Sequence, residues 1–478
     1  MISYNIYINK LLFKKKNKNN IKSYFTFFII IYIFIIFLCR SKKNFELNEN
    51  YLNMQIYNHL DFPKKLKNKI RICIYIDRLK GGGAERITSL FLNYFYKIEI
   101  FDLFLFTFNI REIDEYKISD NIKRFFLKND NINYLILKMK KKRIDILIYQ
   151  FPKYNDIKLL NRLKKTSTVF YLHSSLFFWI YNDINMIKIT YKEYINSKYI
   201  VNLIPIENDF IFKKWGINSI LMNNFITYEY QKISPSNLSS KLILMVGRAN
   251  DIYKRFELGI QAMEYIINQV PEAEMKIISG IENTEFLQNI MHNLYLENII
   301  KFVGYSLYPE LYFKNSSLHI FPSLTEAFPM ALCETKIYGI PNILLGLDYV
   351  SLSEGGTIII YDELPESLAR ESIKILNNLK YRKTLGKEAR LSMRKFNNRL
   401  LVKKWTKLIL SIYNGEIYYQ NLRNKDMKLS TKDALTILKR QIKLIKKRRP
   451  FYINTTTKDF LNFTYILNFD KFEYCLND

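Results

Sequence analysis

At 478 residues the chain is too long for one ordinary hydrophobic core and long enough for two domains with tails. Hydrophobic residues are 49% and charged residues 24%, near globular averages, whereas 36 Tyr and 35 Phe against 14 Gly and 11 Pro follow the bias of an AT-rich coding sequence. The net charge of +29 is spread along the whole chain with no zinc-finger spacing, RNA-recognition signature or dominant basic helix, so it points away from nucleic acid and toward either a basic surface near anionic lipid or plain codon bias.

The uncharged run "YFTFFIIIYIFIIFLC", residues 24–39, would form a helix about 24 Å long at about 1.5 Å per residue. That is slightly short of a hydrocarbon core of about 30 Å, and flanking lysines that snorkel make up the difference. Lys10, Lys14, Lys15, Lys16, Lys18 and Lys22 precede it, whereas Arg40, Lys42 and Lys43 are soon followed by Glu46 and Glu49. The positive-inside rule predicts a single-pass signal anchor with a cytosolic N-terminus and the bulk of the chain lumenal or exterior. "LCRSKK" lacks the small residues of a cleavage site, which disfavours a cleaved signal peptide. The expected order is a basic segment 1–23, the anchor 24–39 and a polar stalk 40–69.

From Ile70 short apolar runs alternate with amphipathic stretches, the pattern of a parallel sheet covered by helices. "IRICIYI" reads as a buried strand and "GGGAERITSLFLNYF" as a glycine turn opening a helix. Further strands fit "DLFLFTF", "DILIYQF", "TVFYLH" and "IVNLIP". After "SPSNLSS" the pattern restarts with "LILMVG" and a helix from near Arg255 that aligns Phe256, Ile260, Met263 and Ile267 on one stripe. "EMKIISG", "IIKFVG", "LHIFPS", "PNILLG" and "TIIIY" complete the second set of strands, and "RLLVKKWTKLILSIYNG" adds a last helix. The expected fold is α/β, with Rossmann-like domains at 70–233 and 234–415 facing a ligand cleft at the carboxyl ends of their strands. A basic tail occupies 416–478.

The stretch "SLTEAFPMALCETKIYGIP" carries the chemistry. Glu326 falls in the loop after "LHIFPS", Pro329 is placed to begin a helix, and Gly339 followed by Pro341 ends it. Glu334 then lies about 7.5 Å along the axis from Pro329. Both carboxylates suit the hydroxyls of an extended polar ligand, and the helix N-terminus between them suits an anion. Taken alone, two glutamates at this spacing also fit a solvated helix. Arg248 and Lys254 in "VGRANDIYKRF", after the first strand of the same half, supply the two cations a diphosphate needs. No nucleophile stands beside a base. Cys39, Cys73, Cys333 and Cys475 are scattered and form neither a disulfide framework nor a metal site.

Together, "GGGAER", "GR" with Lys254, "FVGY", the Glu-x7-Glu stretch and "GIP" resemble the retaining nucleotide-sugar glycosyltransferases of the GT-B fold, family 4, in order from about Ile70 to Gly415. The resemblance implies that Arg248 and Lys254 hold the donor diphosphate, that Glu334 accepts from the donor ribose and that Glu326 contacts the transferred sugar, beside Ala327 and Phe328. Gly82 and Gly83 would let the N-terminal loop approach the donor, and His173 matches a position near the transferred sugar. It further implies retention at the anomeric carbon without a metal or other cofactor, a nucleotide-diphosphate sugar as donor, and a saccharide, lipid-linked or protein-linked acceptor. Two departures stand out. Ala327 replaces a frequent glycine, and Lys336 is more basic than is common. A GT-B epimerase or phosphorylase shares the architecture, and so does an inactive glycan-binding relative; retention of Arg248, Lys254, Glu326 and Glu334 disfavours the inactive one.

"TKDALTILKRQIKLIKKRR", residues 431–449, sets Leu435, Leu438, Ile442 and Ile445 opposite lysines, which fits a membrane-surface helix or a helix packed on the body. Asn237, Asn315, Asn454 and Asn462 each begin an Asn-x-Ser/Thr sequon.

Overall fold

The computed structural model describes residues 68–416, apart from 109–114, 128–131, 151–155, 158, 159, 161, 162, 164, 177–185, 229–231, 307, 347–351 and 353. The predicted segments 1–23 and 24–39, nearly all of the stalk, and the tail after 416 with its sequons Asn454 and Asn462 lie outside the described residues. Among the described residues no helix is long and apolar enough to cross a membrane.

The first half runs Ile70–Ile76 (β1), Gly83–Phe95 (α1), Phe101–Thr107 (β2), Lys123–Phe126 (β3), Ile132–Lys142 (α2), Ile146–Tyr149 (β4), Ser167–Tyr171 (β5), Met186–Ile195 (α3), Tyr199–Asn202 (β6), Pro205–Trp215 (α4) and Ile220–Leu221 (β7). These strands form one parallel sheet in the order β3-β2-β1-β4-β5-β6-β7. β1 explains why its sequence reads as an unbroken apolar run: every residue except Arg71 is buried, as expected of a central parallel strand covered on both faces.

The second half runs Leu242–Val246 (β8), Phe256–Ile267 (α5), Glu274–Ile278 (β9), Glu285–Asn293 (α6), Ile300–Phe302 (β10), Glu310–Phe313 (α7), Leu318–Phe321 (β11), Met330–Ile337 (α8), Asn342–Leu345 (β12), Thr357–Ile360 (β13), Pro365–Asn377 (α9), Leu379–Ser392 (α10) and Asn398–Tyr413 (α11). Its parallel sheet has the order β10-β9-β8-β11-β12-β13. In both sheets the strand order reverses direction beside the first strand, between β1 and β4 and between β8 and β11. Such a switch opens a crevice at the strands' carboxyl ends.

The predicted strands of both halves are present. β3 and β7 were not anticipated, because "KRFF" is a polar-apolar edge strand with no buried residue and β7 is only two residues long. Pro329 is corrected from the first helical residue to the N-cap: at φ −74° and ψ 98° it is extended, and its carbonyl accepts the first helical bond, from Cys333 N at 3.1 Å. Gly339 ends α8 as predicted, at φ +71°. Behind α8, the Thr335 hydroxyl donates to Asn342 Oδ1 at 2.9 Å, and His319 Nδ1 lies 2.7 Å from the same oxygen, locking the helix to β11 and β12.

The last helix crosses back to the first half. Trp405 is fully buried, with its ring edge-on to Phe91 at 5.2 Å and to Tyr171 at 5.1 Å. Asn398 clamps the backbone of Ile226, accepting from its N–H at 2.9 Å and donating to its carbonyl at 2.8 Å, and also donates to Tyr94 Oη at 2.9 Å. The range 234–415 therefore includes a helix whose core contacts belong to the range 70–233.

Candidate active site

Two loops meet at the carboxyl ends of β8 and β11. In the first, Asp251 Oδ1 accepts from Tyr253 N at 3.1 Å and starts a 3-10 turn over Ile252–Lys254. Lys254 closes this turn, its ammonium 5.9 Å from the centre of the Phe321 ring at the end of β11. In the second, Leu324 N donates to Tyr253 O at 2.9 Å and sews the loops together. As a result the Lys254 ammonium donates to Glu326 Oε1, with only 17% and 13% of the two side chains exposed. Arg248, from the same first loop, is 68% exposed and bonds Asp251 Oδ2 at 3.1 Å. The structure thus gathers one shielded lysine-carboxylate pair and one solvent-facing guanidinium.

Glu334 lies one turn into α8, a helix buried on all sides. An isolated carboxylate there would be costly. It is compensated from outside its own sheet: Arg86 Nη1 of α1 approaches Oε1 at 2.7 Å, and Thr227 Oγ1 donates to Oε1 at 2.8 Å. Burial alone would lower the Arg86 pKa, but the Glu334 carboxylate and nearby tyrosines outweigh it and the net shift is upward, so the guanidinium stays charged. Ala327 and Phe328 are buried, and the Phe328 ring stands edge-on to Phe396 at 5.7 Å, so this aromatic supports the loop from behind.

The glycine turn reaches the same place from the other side. Gly81 takes φ +90°, a conformation that disfavours any side chain, and turns the chain so that Gly82 caps α1. A Cβ on Gly83 would sit 3.9 Å from Met330 Cγ, so the first turns of α1 and α8 abut. Glu85 folds back over Gly82; burial raises its pKa, opposed by the charges of Arg78 and Arg248. His173 stands two residues beyond β5 with its ring 4.1 Å from that of Tyr171. Burial lowers its pKa to about 3, so it is neutral near pH 7. Among the described residues its recorded ring contact is with Tyr171, and the structure does not join it to the Lys254–Glu326 pair.

Residues 227–392 match the sequence profile of the glycosyl transferases group 1. The second half of the fold carries that family's domain. Its similarity to an uncharacterized glycosyltransferase of Haemophilus influenzae is 22% identity over 211 residues, covering 43% of this chain and 59% of that relative, so less than two thirds of the relative's length is spanned. Among solved structures, sucrose-phosphate synthase from Thermosynechococcus elongatus superimposes with a TM-score of 0.63 at 14% identity, over 73% of this chain and 100% of that one. Alr3699/HepE of Anabaena, in complex with UDP and glucose, gives 0.59 at 13% identity, over 72% and 100%. These likenesses establish the GT-B fold with its two parallel Rossmann-like sheets.

Several cleft residues carried no assigned role in the sequence: Arg86, Thr227, Tyr116 and Tyr305. A signal for Arg86 was present. An arginine in the first turn of a helix opposes the macrodipole and needs an acidic partner. The others come from loops whose meeting depends on how the two sheets face each other. Lys336, the other sequence oddity, is fully buried and donates to the carbonyls of Glu354 at 2.6 Å and Gly355 at 3.0 Å, which makes it a brace for the glycine loop before β13.

Proposed function

We propose that the protein is a retaining glycosyltransferase that moves a sugar from a nucleoside-diphosphate donor to a hydroxyl of a saccharide, lipid-linked or protein-linked acceptor, without a metal. The observation that carries this reading is the Lys254–Glu326 pair at the switch point of the second sheet, with Arg248 beside it. In the proposed reaction the bond between the anomeric carbon and the diphosphate oxygen breaks, and the acceptor oxygen forms its bond on the same face. The acceptor proton passes to the departing diphosphate. Lys254 and Arg248 stabilise the charge that develops on that leaving group, Glu326 orients the sugar hydroxyls, and Glu334 accepts from the ribose.

The family match over residues 227–392 and the glycosyltransferases to which the chain is similar support the donor class. A nucleotide-sugar panel tests it: the full chain is incubated with UDP-, GDP- and ADP-sugars, and nucleotide release and acceptor labelling are followed. Release from none of the donors, with no nucleotide binding, would overturn the reading. We further propose that residues 24–39 anchor the chain with its body lumenal or exterior; endoglycosidase sensitivity of Asn237 or Asn315 in the expressed full-length chain tests the orientation.

A further inference from the structure

We propose that Arg86 is a positioning residue that orients the carboxylate of Glu334 across the cleft, so that the first domain sets how strictly the second recognises the ribose of the donor. The inference rests on the reading of Glu334 as the ribose acceptor and adds a residue, and a dependence on domain apposition, that this reading does not contain.

The geometry follows from how the two helices begin. Gly83 and Met330 face each other in the first turns of α1 and α8, and Arg86 and Glu334 lie one turn further along their respective helices. A guanidinium and a carboxylate at these places meet across the domain boundary as long as the two first turns stay in contact. Both contacts to Glu334 fall on one oxygen: Arg86 Nη1 at 2.7 Å and Thr227 Oγ1 at 2.8 Å approach Oε1. With Oε1 taken up by these two contacts, the other oxygen, Oε2, is the acceptor left to a ligand hydroxyl. Arg86 is itself held. Its guanidinium carbon lies 5.8 Å from the centre of the Tyr116 ring, and the Tyr116 hydroxyl accepts from that of Tyr305 at 3.2 Å, a second bond between the domains. An arginine has the planar fork for such a role, whereas a lysine at the same place would hold the carboxylate only as a point charge.

Discrimination between a ribonucleotide and its deoxy counterpart reads this property directly. A hydrogen bond to a charged acceptor is worth roughly tenfold or more in affinity, and a site built for a hydroxyl rejects the analogue that lacks it. A change in global packing weakens both ligands alike and leaves their ratio unmoved. The test uses the full chain and isothermal titration calorimetry with whichever of UDP, GDP or ADP binds tightest, alongside its 2′,3′-dideoxy form. The wild-type protein is expected to prefer the ribonucleotide about tenfold or more. Arg86→Met is expected to bring the ratio below about threefold, and Arg86→Lys to recover part of it. Arg86→Gln replaces Arg86→Met if the latter fails to fold by circular dichroism. A folded Arg86→Met or Arg86→Gln protein with the full wild-type ratio overturns the inference. Glu334→Ala separates the two levels: if it retains the wild-type ratio, the ribose reading itself fails; if it loses the ratio while the Arg86 variants keep it, only the role of Arg86 is refuted.

Discussion

The ammonium of Lys254 donates to Glu326, a residue 72 positions later in the chain, and the bond joins the loops that follow two neighbouring strands. A cation so placed is held at the rim of the crevice with its charge already directed, and binding a diphosphate there requires little reorganisation. Lys254→Ala and Glu326→Ala are each expected to reduce sugar transfer by roughly 10²- to 10³-fold. Both variants should fold, since the pair lies at a loop edge and not in the sheet core. Steady-state rates with the donor found in the nucleotide-sugar panel measure the effect, and full activity in both variants would refute the site.

His173 gives a pH-dependent prediction with a definite sign. Its native pKa is lowered to about 3 by burial, against roughly 6.5 in an unfolded chain. Between these values the unfolded state binds a proton that the native state does not, so the histidine's contribution to stability is present above about pH 6.5 and is lost as pH falls toward about 3. Urea melts of the wild type and His173→Gln should therefore converge as pH drops from about 7 to about 5. The rate profile of the wild type should show no limb near pH 6.5 that His173→Gln abolishes. Such a limb would mean that the imidazole titrates during turnover.

Lys336 works in the alkaline direction. Burial lowers its pKa to about 7, whereas an unfolded lysine titrates near roughly 10.4. Over that window the unfolded state again holds the extra proton, so stability rises with pH by at most about 1.4 kcal/mol per pH unit from this group. The neutral amine keeps two N–H groups, enough for the carbonyls of Glu354 and Gly355. The stability difference between the wild type and Lys336→Met is expected to grow between about pH 7 and pH 9 in denaturant titrations; a constant difference would show that the ammonium remains charged.

Gly386, in the middle of α10, packs against the left-handed Gly339 that ends α8. A Cβ at Gly386 would overlap the Gly339 carbonyl oxygen and crowd Leu238, and backbone cannot yield as a flexible side chain does. Gly386→Ala should therefore destabilise by roughly 1–3 kcal/mol despite alanine's better helix propensity. A thermal midpoint at or above that of the wild type would refute this.

Much of the fold was legible because central parallel strands announce themselves as unbroken apolar runs, as "IRICIYI" and "LHIF" do. The edge strand "KRFF" was not, since one exposed side removes the pattern. At the site, the loop containing Lys254 and the carboxylates of Glu326 and Glu334 were visible as residue types at fixed spacing. What was hidden is who answers whom. That Glu334 is met by Arg86 and Thr227 depends on the approach of two sheets, and no local periodicity encodes it. The placement of α11 against the first sheet was hidden for the same reason: Trp405 reads as an ordinary apolar helix residue until Phe91 and Tyr171 are seen around it.

The clamp of Asn398 on the backbone of Ile226 has a mechanical consequence. The chain passes between the domains twice, once near residue 226 and again just before α11, and this side chain ties the two passages side by side. Paired tethers of this kind permit bending about the line through them and resist twisting. A relative motion of the two halves would thereby be favoured about that line, and the clamp would help keep the helix starts of α1 and α8 in register.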